Sequence, residues 1–146
     1  MNELQKFVSN FTDEEIPAVY KKGREYYLVP AKVEQQAKKI SRDPSSIGLY
    51  LGEEKNKKFM ASPALLELIA KKSEVKVFVG EKAEWLFLCG RDVFEKSMFK
   101  MNVKTGIVLV QNKRDENIGL GKLDKEKGSI LLTNLLDRGD YLRREQ

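Results

Sequence analysis

The chain has 146 residues and a mass of 16.8 kDa, room for one ordinary domain or two small ones, and its 41% of hydrophobic residues can fill a core. It contains no histidine and a single cysteine, Cys89. That excludes imidazole-based hydrolases, HExxH zinc proteases, an intrachain disulfide and a four-cysteine zinc site, and leaves metal chemistry only carboxylates and carbonyls, which favour Mg²⁺ or Ca²⁺. The net charge is +5, with a pI near 9.2. Residues 71–146 hold 16 basic against 12 acidic side chains, a net of +4, whereas residues 1–70 hold 11 against 10. A polyanionic partner is therefore to be sought in the second half, although a Lys- and Glu-rich surface also serves solubility alone.

Taken in order, Leu4, Phe7, Val8 and Phe11 fall at i, i+3, i+4 and i+7, which predicts a short amphipathic helix. β-prone residues Val19-Tyr20 and Tyr26–Val29 flank Lys22-Gly23 and predict a hairpin turning at Gly23. Pro30 sits where a helix begins, and Val33, Ala37 and Ile40 continue it until Asp43-Pro44. A second strand pair is expected at 47–51 and 59–60, separated by the polar linker GEEKNKK. Ser62-Pro63 is a strong helix start, with Leu65, Leu66, Leu68 and Ile69 as the buried stripe and Lys71-Lys72 at its end. Beyond it, VKVFV (75–79), EWLFL (84–88), GIVLV (106–110), ENIGLGKL (116–123) and SILLTNLL (129–136) predict five short strands in an antiparallel barrel or sandwich. No apolar run approaches the length of a membrane span, and nothing in MNELQKFVSNFTDEE marks secretion, so a cytoplasmic location is expected.

Gly119-Leu120-Gly121-Lys122 has neither the spacing of a phosphate loop nor the third glycine of a dinucleotide fingerprint. The pair is expected to permit a bulge or tight corner; the other reading is close approach of a nucleic acid backbone. Cys89 follows four apolar or aromatic residues and is expected to be a buried, inert thiol. The carboxylate pairs Asp137/Asp140 and Asp92/Glu95 arise readily in a chain with 34% charged residues and make a weak case for catalysis. The basic residues are more coherent. Arg91 follows WLFLCG, Lys96 lies one turn beyond Asp92 if DVFEKS is helical, and Lys122 follows the glycine pair. Arg138, Arg143 and Arg144 cluster around Tyr141 in LLDRGDYLRREQ. Arginine pairs bidentately with phosphate and tyrosine offers a stacking platform, so these seven residues form the candidate RNA-binding set; pairing of Arg138 with Asp137 or Asp140 is the competing structural role.

EVKVFVGEKAEWLFLCGRDVFEKS, GIVLVQNKRDENIGLGKL and NLLDRGDYLRRE together resemble a PUA domain, the small RNA-binding β-barrel named after pseudouridine synthases and archaeosine transglycosylases. KISRDPSSIGLYLGEEKNKKFMASPALLELIAKK, running directly into it, resembles the Nip-seven family of ribosome biogenesis factors in its short archaeal form, and REYYLVPAKVEQQAKKI matches the strand and helix before it. The resemblance implies an α+β chain, with an N-terminal α/β domain over 1–73 and a PUA-like β-barrel over 74–146. It implies a non-catalytic accessory factor, without cofactor or metal, in large-subunit biogenesis and pre-rRNA processing. The β domain would bind pre-rRNA or U-rich single strands, with the basic pair falling on Arg143 and Arg144. The α/β domain would hold ribosome maturation factors and, as in some members, exosome components. The expected state is a cytoplasmic monomer, nucleolar were the source eukaryotic. Longer relatives carry further lysines, so an ending at Gln146 implies weaker RNA binding. Two rivals are a PUA-like module that recruits an RNA-modification enzyme to tRNA or rRNA, and, least favoured, a small Mg²⁺ enzyme.

Overall fold

The computed structural model describes residues 1–140. The chain forms two compact units, one spanning Met1–Ile69 and a second from Ala70 onward. In the first, α1 (Glu3–Val8) opens on a capping box: Asn2 Oδ1 accepts from Gln5 N at 2.8 Å, and Gln5 Oε1 accepts from Asn2 N at 3.0 Å. Strands β1 (Val19–Lys22) and β2 (Glu25–Leu28) form the expected hairpin, with Gly23 at φ 60° in its two-residue turn. Helix α2 (Ala31–Lys39) follows Pro30, which takes the capping position without a side-chain hydrogen bond. Strands β3 (Leu49–Lys55) and β4 (Lys58–Ala61) then complete an antiparallel sheet in the order β1-β2-β3-β4.

The GEEKNKK stretch corrects the expected polar linker. Most of it is strand, and only Asn56 and Lys57, at φ 51° and 62°, form the turn. Its carboxylates suit a strand with one wet face: Glu54 accepts a hydrogen bond from the Tyr26 hydroxyl across the sheet. Phe59 links the sheet to α1, its ring lying 5.2 Å from Phe7 and 5.7 Å from Tyr26. Ser62 starts α3 (Pro63–Ala70) as expected, its Oγ accepting from Leu65 N at 3.1 Å while donating to Tyr50 O at 2.8 Å.

The second unit is a six-stranded sheet built from β5 (Lys76–Val79), β6 (Val93–Phe94), β7 (Met98–Met101), β8 (Gly106–Gln111), β9 (Asn117–Glu126) and β10 (Ser129–Asp137). Its order is β6-β10-β9-β8-β5-β7, mixed rather than antiparallel, because β5 and β8 pair in parallel. The two outermost strands, β6 and β7, are consecutive in sequence and joined only by the 3₁₀ turn Glu95–Ser97. The sheet must therefore curl until its edges adjoin, giving a near-barrel with a seam. Val77, Val79, Phe87, Val108, Val110, Leu123 and Leu132 fill it.

EWLFL is not a strand. It belongs to helix α4 (Glu81–Leu88), which follows Gly80 and buries Ala83 and Phe87, four residues apart, while Trp85 stays 66% exposed. Cys89 consequently falls just past the helix, where it is exposed rather than buried. DVFEKS, too, is a two-residue strand and a 3₁₀ turn instead of a helix.

Candidate nucleic-acid interface

Gly119 and Gly121 serve the barrel itself. A Cβ on Gly119, at φ 152°, would lie 2.1 Å from Leu136 O and 2.9 Å from the Phe87 ring, and one on Gly121 would lie 2.5 Å from Leu132 Cδ1. Both glycines are buried, and β10 bulges opposite them between Asn134 and Leu136. The close approach they permit is that of a neighbouring strand, not of a nucleic acid backbone.

The bulge positions the functional surface. Asn134 Nδ2 donates to Phe87 O at 2.9 Å and its backbone N–H to Asp92 Oδ1 at 2.8 Å, fastening the end of α4 and the loop bearing Arg91 to the sheet. Glu95 Oε1 accepts from Ile130 N at 2.7 Å. Two carboxylates near the seam are thus taken up by backbone donors.

Between α4 and the seam lie two adjoining concavities that share Ala83 and Ser97. The first, about 360 Å³, is lined by Gly80, Lys82, Lys96, Phe99 and Lys113, with Glu81 as its carboxylate. The second, about 270 Å³, is lined by Leu86, Arg91, Val93 and Phe94, with Asp92 as its carboxylate. Four cations thus border one strip. Of the four large apolar side chains exposed among the described residues of this unit, three are the aromatics Trp85, Phe94 and Phe99. Phe94 and Phe99 border the strip directly; Trp85 lies three positions beyond Lys82, on the same side of α4. Phe99 is backed by Phe78, at 5.9 Å between rings, so its outer face is a supported platform.

Lys113 reaches the strip because its loop is pinned. Asn112 Oδ1 accepts from Arg114 N and Glu116 N at 2.9 and 3.0 Å, while Asn112 Nδ2 donates to Glu84 Oε2 on α4 at 3.0 Å. Asp115, at φ 60°, accepts from the buried Lys76 ammonium at 3.2 Å and from Gln111 at 3.0 Å. Partial burial pushes the Asp115 carboxyl up, but those hydrogen bonds outweigh it and hold it below its usual range. The Glu116 carboxyl is lowered first by Asn112 and then by Arg114, with Arg138 contributing.

Of the seven sequence-derived candidates, the structure brings Arg91 and Lys96 onto the strip. Lys122 is exposed on β9, 4.0 Å from Asp124, and lines neither concavity. Arg138 is half-buried and acts on Glu116. Tyr141, Arg143 and Arg144 lie outside the described residues. Lys82, Lys113, Trp85, Phe94 and Phe99 were not picked out from sequence. The sequence reading places Trp85 in a strand, and it is helix α4 that turns it outward. Among the described residues, no cluster of three or more His, Cys, Asp or Glu is placed to hold a metal ion.

The near-barrel sheet, with α4 packed against β6, β9 and β10, has the fold of a PUA domain. A solved structure described as a conserved PUA domain protein from Thermoplasma acidophilum superposes with a TM-score of 0.59, covering 97% of this chain and 91% of that one, at 16% identity, a likeness of fold. More particularly, residues 75–146 match the model of the UPF0113 PUA domain. A UPF0113 protein of Archaeoglobus fulgidus is 31% identical over 116 residues, 71% of this chain and 65% of that relative's length. The PUA domain points to RNA as the ligand.

Proposed function

We propose that this protein is a non-catalytic RNA-binding factor of the cytoplasm that acts as a monomer in large ribosomal subunit biogenesis and pre-rRNA processing. Its second unit holds single-stranded pre-ribosomal RNA, and its first unit contacts maturation factors, including exosome components. The resemblance to the Nip-seven family supports the ribosomal assignment. The observation that carries RNA binding is the strip of Lys82, Arg91, Lys96 and Lys113 bordered by exposed Phe94 and Phe99. Cations follow a phosphate backbone while aromatic faces stack bases, a combination suited to unpaired strands and tolerant of sequence.

Titration of U-rich RNA at several salt concentrations tests the strip. Each single-strand phosphate neutralised contributes about −0.7 to the slope of log K against log salt, so Lys82→Ala/Lys96→Ala/Lys113→Ala should flatten it by about 2. Phe94→Ala should weaken binding by about 1–3 kcal/mol with the slope unchanged. Unaltered affinity in both variants would remove the strip as the site. For the biological assignment, crosslinking in cells should recover large-subunit precursor; a tRNA-dominated set would favour a module recruiting an RNA-modification enzyme.

A further inference from the structure

The first unit contains a cavity of about 240 Å³ lined wholly by residues between Met1 and Val19. Its floor is apolar, from Leu4 and Val8 on α1 and from Ile16 and Val19 where the chain enters β1. Its lip carries three exposed carboxylates in a row, Asp13, Glu14 and Glu15, and no lysine or arginine lines it. The helical wall is pre-formed, because the Asn2–Gln5 capping box fixes the start of α1 and the Phe7–Phe59 contact holds it to the sheet. A partner would therefore not have to order it.

Size and charge select the occupant. The cavity is smaller than the roughly 300–1,000 Å³ of sites that enclose whole small molecules, so it suits one or two side chains projecting from something larger. An uninterrupted acidic lip repels polyanions and complements cations. We propose that this groove docks a basic, apolar segment of a partner protein, with a Leu-, Ile- or Phe-type side chain seated between α1 and the 12–16 loop and Lys or Arg on either side facing Asp13, Glu14 and Glu15. The assignment deepens the reading of the first unit as the part that contacts proteins, and rests on it.

Two measurements test it with the full chain. In the first, a labelled peptide with a Leu-Leu centre flanked by lysines is titrated by NMR, beside a version with serines at the centre and another with glutamates at the flanks. The first peptide should shift resonances of Leu4, Val8 and Thr12–Val19, and both controls should bind at least tenfold more weakly. Asp13→Lys/Glu14→Lys/Glu15→Lys, confined to exposed positions, should reduce binding at least tenfold with the fold intact by its spectrum. Shifts elsewhere, no binding, or binding retained by the reversed-charge variant would overturn the groove. In the second, a photoreactive residue replaces either Asp13 or Lys32, exposed on α2, in cells. A crosslink from position 13 to a Lys- or Arg-rich segment with apolar residues supports the proposal; a crosslink to a segment without basic residues overturns it. Protein crosslinks from position 32 alone overturn the groove yet leave the first unit as a protein-contacting one, and crosslinks from neither position remove both.

Discussion

Gly119 shows how one missing side chain sets the shape of the second unit. With a Cβ placed 2.1 Å from a strand carbonyl, Gly119→Ala must shift β10 or the Phe87 ring, and should destabilise by about 2 kcal/mol or more, read as a lowered midpoint in denaturant unfolding. Asp43 shows the same locality for charge. Hydrogen bonds from the Ser45 side chain, the Lys22 ammonium and the Ser45 backbone lower its pKa from 3.8 to about 2. Because the folded pKa lies below the unfolded one, its contribution is present above about pH 4 and is lost as pH falls through 2. A carboxyl NMR titration should place the Asp43 midpoint near 2, and Ser45→Ala should move it upward.

At the scale of elements, the loop over 112–116 is held less by packing than by polar bonds to β5 and α4. Lys76 is central: its side chain is 6% exposed, and its ammonium finds Asp115 at 3.2 Å. Asp115→Ala leaves that ammonium without its carboxylate and should destabilise by about 2 kcal/mol in thermal or denaturant unfolding. Adding Lys76→Met, which replaces the stranded charge with an apolar chain of similar length, should recover most of the loss. The same elements show what the sequence could and could not disclose. The α1 periodicity, the Gly23 hairpin and the Ser62-Pro63 start rest on near-neighbour chemistry, and each appears in the fold. EWLFL fails because its four apolar residues, Trp85 to Leu88, satisfy a buried strand and a buried helix turn alike; Gly80 ahead of it and Ala83 spaced four from Phe87 settle the matter only in three dimensions. The parallel β5–β8 pairing joins residues more than thirty apart and has no local signature. Phe94 and Phe99, two of the strip's six residues, went unread for a related reason, since they sit on strands of two and four residues, too short for alternation to show.

For the whole molecule, the +5 matters through its placement. Lys55, Lys57 and Lys58, around the β3–β4 turn of the first unit, number as many charges as Lys82, Lys96 and Lys113 on the strip. Replacing either trio by alanine takes the formal charge from +5 to +2. Only the strip trio should flatten the salt dependence of RNA binding; the turn trio should leave the slope as it is, which a side-by-side titration measures. Equal flattening would mean that bulk charge, not a site, attracts RNA. Placement also bears on motion. The long strands β9 and β10 run ten and nine residues and pair along most of that length, whereas the seam is bordered by strands of two and four residues. Local opening is easiest where the fewest backbone bonds must break, so the near-barrel breathes at its seam first and at its centre last. Lys96, Phe94 and Phe99 ride on the part of the sheet that can part and reclose while the rest of the ladder stays shut, leaving them free to adjust to an irregular strand at little expense to the fold.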